Sequence, residues 1–234
     1  MASLATQSAR SAGETKASIR TVEVRIPPIG LTGTLRIPES ASALVVFVHG
    51  SGSSRLSPRN VKVAEALGAG GMATLLFDLL LPAEEANRSN VFDINLLAER
   101  LIGVVHWLDQ APDLCGLALG FFGASTGAAA ALVAAASLRG RTQAVVSRGG
   151  RPDLAGLALE HVVAPTLLIV GGNDFDVLEL NKQALNRLRC PKALEIVPGA
   201  THLFEEPGAM EKVVEHAFLW FDRYLTQKLS GGPR

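Results

Sequence analysis

The chain has 234 residues, 48 % hydrophobic and 19 % charged, enough for one α/β domain with a large core. Its 22 basic residues balance 22 acidic ones, for a formal net charge of zero. Nucleic-acid and anionic-membrane surfaces need a basic excess, so neither partner is expected, and no apolar run reaches the length of a membrane span.

Residues 1–20 are polar and small, with Arg10, Glu14 and Lys16 among them. They lack the apolar core of a secretory signal, so a flexible lead-in before a single domain at 21–234 is expected, in a cytoplasmic protein, the alternative being a transit peptide, against which Glu14 counts. Residues 22–26 and 31–37 form a strand pair joined by Pro27-Pro28-Ile29-Gly30. Residues 43–48 are a buried strand that enters the loop His49-Gly50-Ser51-Gly52-Ser53-Ser54. A helix at 60–68, a strand at 72–77 ending at Asp78, and a long amphipathic helix at 93–110 follow. Next come a strand at 117–122, a helix at 128–136, a strand at 144–147 and a short helix after Asp153. The strand at 165–170 precedes a helix at 177–188, the strand at 194–197 follows, and a last helix runs over 207–225 with Pro207 at its start. Strands alternating with helices imply a mainly parallel sheet covered on both faces.

Between the strand at 117–122 and the helix at 128–136 stands Gly123-Ala124-Ser125-Thr126-Gly127. This is the strand–turn–helix setting of a nucleophile elbow, in which a serine hydroxyl is exposed on a tight turn. Glycines on either side let strand and helix close around it. The strand at 165–170 ends in Gly171-Gly172-Asn173-Asp174, and the strand at 194–197 leads into Pro198-Gly199-Ala200-Thr201-His202. C-terminal ends of parallel strands share one edge of a sheet, where ligands bind. Ser125, Asp174 and His202 are therefore expected to meet there as nucleophile, orienting acid and general base. Asp176 is the rival acid, but it falls on the first turn of a helix, where a carboxylate already has a structural reason to be.

These ordered motifs resemble those of the α/β-hydrolases, most of all the dienelactone-hydrolase-like branch, from about residue 21 onward. His49-Gly50-Ser51, the elbow, Gly171-Gly172-Asn173-Asp174 and Thr201-His202 carry the resemblance. Residues 49–60 also resemble hydrolase modules attached to phosphoribosyltransferase domains. Dienelactone hydrolases proper use a cysteine nucleophile, whereas Ser125 stands at that position here, which favours general ester chemistry. The resemblance implies an α/β-hydrolase fold without a separate cap domain. It also implies an oxyanion hole made by the backbone N–H groups of Ser51 and Thr126. His49 is expected to brace its loop.

The connection Arg148-Gly149-Gly150-Arg151-Pro152 is too short for a cap, while 79–92 is long enough either to fold over the site edge or to remain a solvated loop. Arg148 leaves the strand expected beside the elbow strand. Arg148 and Arg151 are thus candidates to grip a substrate carboxylate or phosphate, the alternative being bonds to loop carbonyls or Asp153. Cys115 and Cys190 read as free thiols with no Cys/His metal spacing, and neither a metal nor a cofactor is expected. The expected activity is hydrolysis of a small carboxylic ester or lactone through an acyl-enzyme at Ser125. A ligand receptor of the same fold, or an acyltransferase or perhydrolase using the same three residues, are the alternatives.

Overall fold

The computed structural model describes residues 18–227. Eight strands form one sheet: β1 (Ile19–Ile26), β2 (Leu31–Pro38), β3 (Ala43–Val48), β4 (Met72–Phe77), β5 (Ala118–Ala124), β6 (Thr142–Arg148), β7 (Thr166–Gly171) and β8 (Lys192–Val197). Their spatial order is β1-β2-β4-β3-β5-β6-β7-β8. β1 and β2 pair antiparallel, as do β2 and β4, and every other neighbouring pair is parallel. This is the α/β-hydrolase sheet, open at both edges.

The helices are α1 (Pro58–Ala69), α2 (Pro82–Glu85), α3 (Arg88–Phe92), α4 (Ile94–Leu108), α5 (Thr126–Ser137), α6 (Phe175–Arg187) and α7 (Ala209–Phe221). A 3-10 segment covers Pro152–His161, and a π turn, Asp222–Thr226, follows α7. Strand alternation divides the core in two. Leu44, Val46 and Val48 of β3 face one layer with α4, α5 and Ala184 of α6. Ala43, Val45 and Phe47 face the other, with α1 and α7. All residues of β3, β4 and β7 are buried, which explains their continuous apolar runs. Phe47 and Phe122 meet across that layer with ring centroids 5.0 Å apart. Burying one such ring contributes roughly 1.5–3 kcal/mol.

Three elements differ from the sequence reading. β1 begins at Ile19, because Ile19 and Arg20 pair with Pro38 and Ile37 of β2. The expected lead-in therefore loses its last residues to the sheet, and its residues 1–17 lie outside the described ones. The connection 79–92 is two short helices. In it the Glu84 carboxylate accepts the Leu81 N–H at 2.8 Å and meets the Arg100 guanidinium at 2.6 Å. The backbone N–H, followed by Arg100, holds Glu84 below the usual carboxylate pKa. The last helix ends at Phe221, and the chain continues as the π turn.

Candidate active site

β5 delivers Ser125 to the C-terminal edge of the sheet, and α5 starts at the next residue. Ser125 has φ 51° and ψ −126°. A side chain rarely adopts that backbone, and holding it costs on the order of 1–3 kcal/mol. Packing on both sides imposes it. A Cβ on Gly123 would strike the backbone of Ala128, and one on Gly127 would strike the carbonyl oxygens of Val48 and His49. Only glycine lets β5, α5 and β3 approach so closely. The Ser125 carbonyl accepts the Arg151 N–H at 3.0 Å, tying the elbow to the turn after β6.

The turn after β7 places Asp174 at the N-terminal boundary of α6, and the turn after β8 carries His202. Asp174 Oδ2 lies 2.7 Å from His202 Nδ1. Asp174 is largely buried, while the His202 side chain is 41 % exposed. The carboxylate on the imidazole is thus that of Asp174, and Asp176 sits in the first turn of α6. His202 packs over Gly149, where an added Cβ would lie 3.7 Å from Cε1. Gly149 follows Arg148, whose carbonyl accepts the Ser125 N–H at 3.4 Å, so one turn touches both Ser125 and His202. No hydrogen bond joins Ser125 Oγ to another group among the described residues; Oγ faces Gly50.

The loop after β3 closes the third side. His49 is buried, with Nδ1 3.0 Å from the Gly50 carbonyl and Nε2 accepting the Leu79 N–H at 3.1 Å. Those bonds fix the neutral imidazole, and burial lowers its pKa. His49 is a brace, as its position implied. A clamp not foreseen from sequence holds the loop from below: Asp78 accepts the Arg55 N–H at 2.8 Å and the Arg55 guanidinium at 2.7 Å. The sequence signal was an acid at a strand end, the same signal that singled out Asp174.

Ser51 and Thr126 come together, but not as two free N–H donors. The Ser51 N–H donates to Thr126 Oγ1 at 2.9 Å. The Thr126 N–H, at the first position of α5, has no intrahelical acceptor. The Ser51 N–H expected in the oxyanion pair is thus engaged by the Thr126 side chain.

Both candidate substrate arginines have partners within the protein. Arg151 forks onto Asp153, Nε to Oδ1 at 2.9 Å and a terminal nitrogen to Oδ2 at 2.8 Å. Arg148 is 6 % exposed. It donates to Asn60 Oδ1 at 3.1 Å, lies 5.9 Å from the Phe204 ring centroid, and leaves Nε without a partner. Burial, with the nearby Arg59 charge, pushes its pKa down to about 10. The guanidinium joins α1 to the His202 loop beneath the surface.

Beside the Ser51 loop is a cavity of about 510 Å³, walled by Leu79, Leu80, Glu85 of α2, Val91 of α3 and Leu97 of α4. Leu79, Leu80, Glu85 and Val91 of the segment 79–92 wall the cavity, while most of its other residues are exposed. The carboxylate in its lining is Glu85. Among the described residues no group of His, Cys, Asp and Glu is arranged to hold a metal ion, and no helix is long and apolar enough to cross a membrane. Cys115 is exposed and Cys190 buried, and both are free thiols.

No family model matches the chain. Two Mycobacterium tuberculosis proteins, of strains CDC 1551 / Oshkosh and H37Rv, are each 60 % identical to it over 204 residues, 87 % of the chain. Their names assign them provisionally to the phosphoribosyl transferases, and the chain spans about half of their length, 46 %. Est1E from Butyrivibrio proteoclasticus shares the fold, with a TM-score of 0.72 at 17 % identity over 87 % of this chain and 98 % of its own. The crystal structure of dienelactone hydrolase from Anabaena variabilis matches with a TM-score of 0.85 at 54 % identity, over 90 % of this chain and 99 % of that one. With more than half of the residues identical along nearly the whole of that relative, and the same fold, the chain belongs to the dienelactone hydrolase family.

Proposed function

We propose that the chain is a serine hydrolase of small carboxylic esters or lactones. The observation that carries this reading is the backbone of Ser125, held at φ 51° on the elbow between β5 and α5. A residue kept in a costly conformation by its surroundings marks a functional position. Ser125 Oγ attacks the acyl carbon as its proton passes to His202 Nε2, and the carbonyl electron pair moves onto oxygen. Asp174 keeps the other ring nitrogen protonated and stabilises the imidazolium. Collapse of the tetrahedral adduct breaks the bond to the alcohol, which takes the proton back from Nε2. Water, activated by His202, then releases the acid from Ser125.

The cavity lining offers no cationic grip for an anionic substrate. Glu85 opposes an anion there, while Arg148 is buried and Arg151 is paired. The transferase name of the longer relatives belongs to proteins about twice this length. An alignment of 204 residues in a chain of 234 necessarily takes in Ser125, Asp174 and His202, so the shared segment is the one bearing the hydrolase set. The test is a panel of esters and lactones of graded acyl length, with a fluorophosphonate probe and mass spectrometry to locate the adduct. Turnover with an adduct on Ser125 is expected. An adduct on another serine, or none on folded protein, overturns the reading.

A further inference from the structure

We infer that the side-chain hydroxyl of Thr126 is a direct donor to the oxyanion, with the Ser51 N–H acting through it. The inference rests on the serine-hydrolase reading above and adds a catalytic residue to it. Three observations place the hydroxyl. Thr126 follows Ser125 in the chain and opens α5, so its own N–H has no acceptor within the helix. Its Oγ1 accepts the Ser51 N–H at 2.9 Å and thus lies where the loop after β3 meets the elbow. Gly50, the neighbour of Ser51, packs against the Ser125 side chain, so the loop that bonds the hydroxyl also borders the nucleophile.

Proton accounting gives the hydroxyl its role. A threonine hydroxyl has one proton to give and lone pairs to receive. Oγ1 receives from Ser51, yet its own proton has no acceptor among the described residues. Thr126 is 6 % exposed, so solvent contact is slight. A buried O–H without an acceptor is costly, and an oxygen that gains negative charge in the transition state would satisfy it. The chain Ser51 N–H to Thr126 O–H to oxyanion also strengthens each of its bonds, because a hydroxyl that accepts becomes a better donor. No proton is transferred by Thr126; it gives a hydrogen bond only.

Thr126→Val removes the hydroxyl and keeps the shape. The assay compares a short-chain oxygen ester with its thionoester, whose sulfur is a poor hydrogen-bond acceptor. For the oxygen ester, kcat of Thr126→Val is expected to fall about 100-fold with KM little moved, as for loss of one oxyanion donor. The thionoester should lose much less, and Thr126→Ser should recover most of the oxygen-ester rate. Equal losses on the two esters would make Thr126 a loop brace, and undiminished or faster turnover by Thr126→Val would make the hydroxyl an obstruction to the Ser51 N–H. Either result overturns the inference while leaving Ser125 in place. Turnover by Ser125→Ala at the wild-type rate removes the serine reading and this inference with it. If neither ester is turned over, the rate of fluorophosphonate labelling of Ser125 serves instead. It should fall in Thr126→Val and recover in Thr126→Ser; labelling that does not depend on the hydroxyl, or no labelling of wild type, overturns the inference.

Discussion

Asp174 Oδ2 lies 2.7 Å from His202 Nδ1, across a gap between two turns that follow neighbouring parallel strands. The bond defines the ring's tautomer and, in the proposed mechanism, leaves Nε2 for the Ser125 proton. Asp174→Asn is expected to lower kcat by about 10⁴, because an amide favours the wrong tautomer and cannot balance the imidazolium. Asp176→Asn, which removes only a carboxylate from the first turn of α6, should stay within a few-fold of wild type. Steady-state kinetics of the two variants checks this, and equal rates would place the acid elsewhere.

The Ser125 backbone should exchange activity for stability. Ser125→Gly relieves the positive φ and is expected to raise stability by about 1 kcal/mol, while turnover is abolished. For a chain of this size that is a Tm gain of about 2–4 °C. Ser125→Ala keeps a Cβ in the same conformation and should show no such gain. Calorimetry on both variants decides; a gain shared by the two would trace to the hydroxyl and not to the backbone.

Arg148 should not discriminate substrate charge. Its guanidinium is spent on Asn60 and Phe204 below the surface. Arg148→Met is therefore expected to change KM in parallel for an acidic ester and its matched neutral ester. The change strands Asn60 Oδ1, at about 1–3 kcal/mol, and relieves a buried charge, which offsets part of that cost. A KM rise confined to the acidic ester would bring the guanidinium into the substrate pocket.

Acid sensitivity should run partly through His49. Burial holds its pKa below the ordinary 6.5. An unfolded chain takes up that proton near 6.5, and the folded one only at lower pH. Between those two values the unfolded state binds more protons, so this contribution is complete above about pH 6.5 and declines as pH falls below it. His49→Gln should be less stable than wild type at about pH 7.5, since its bonds to Gly50 and Leu79 are disturbed. It should also lose fewer degrees of Tm between about pH 7.5 and about pH 5.5. Equal losses in the two proteins would assign the acid sensitivity to other groups.

The strands, the elbow and the order Ser125, Asp174, His202 were all legible in the sequence. Each rests on chemistry that is local in the chain: a fully apolar run marks a doubly covered strand, and glycines beside a serine permit a turn that few residues tolerate. Arg151 and Asp153 were legible as an alternative for the same reason, being two residues apart. What tertiary structure decided were contacts between residues distant in sequence. Ile19 became strand because Pro38 lies opposite it. Arg148 was buried by Asn60 and Phe204, from two other elements. The Ser51 N–H found a hydroxyl 75 positions away, in a turn that had been chosen for its backbone. Periodicity and turn chemistry specify where a residue sits in its own element. Which donor meets which acceptor depends on how elements pack, and in a buried site that pairing is strongly favoured, because an unmet polar group costs more than the bond is worth.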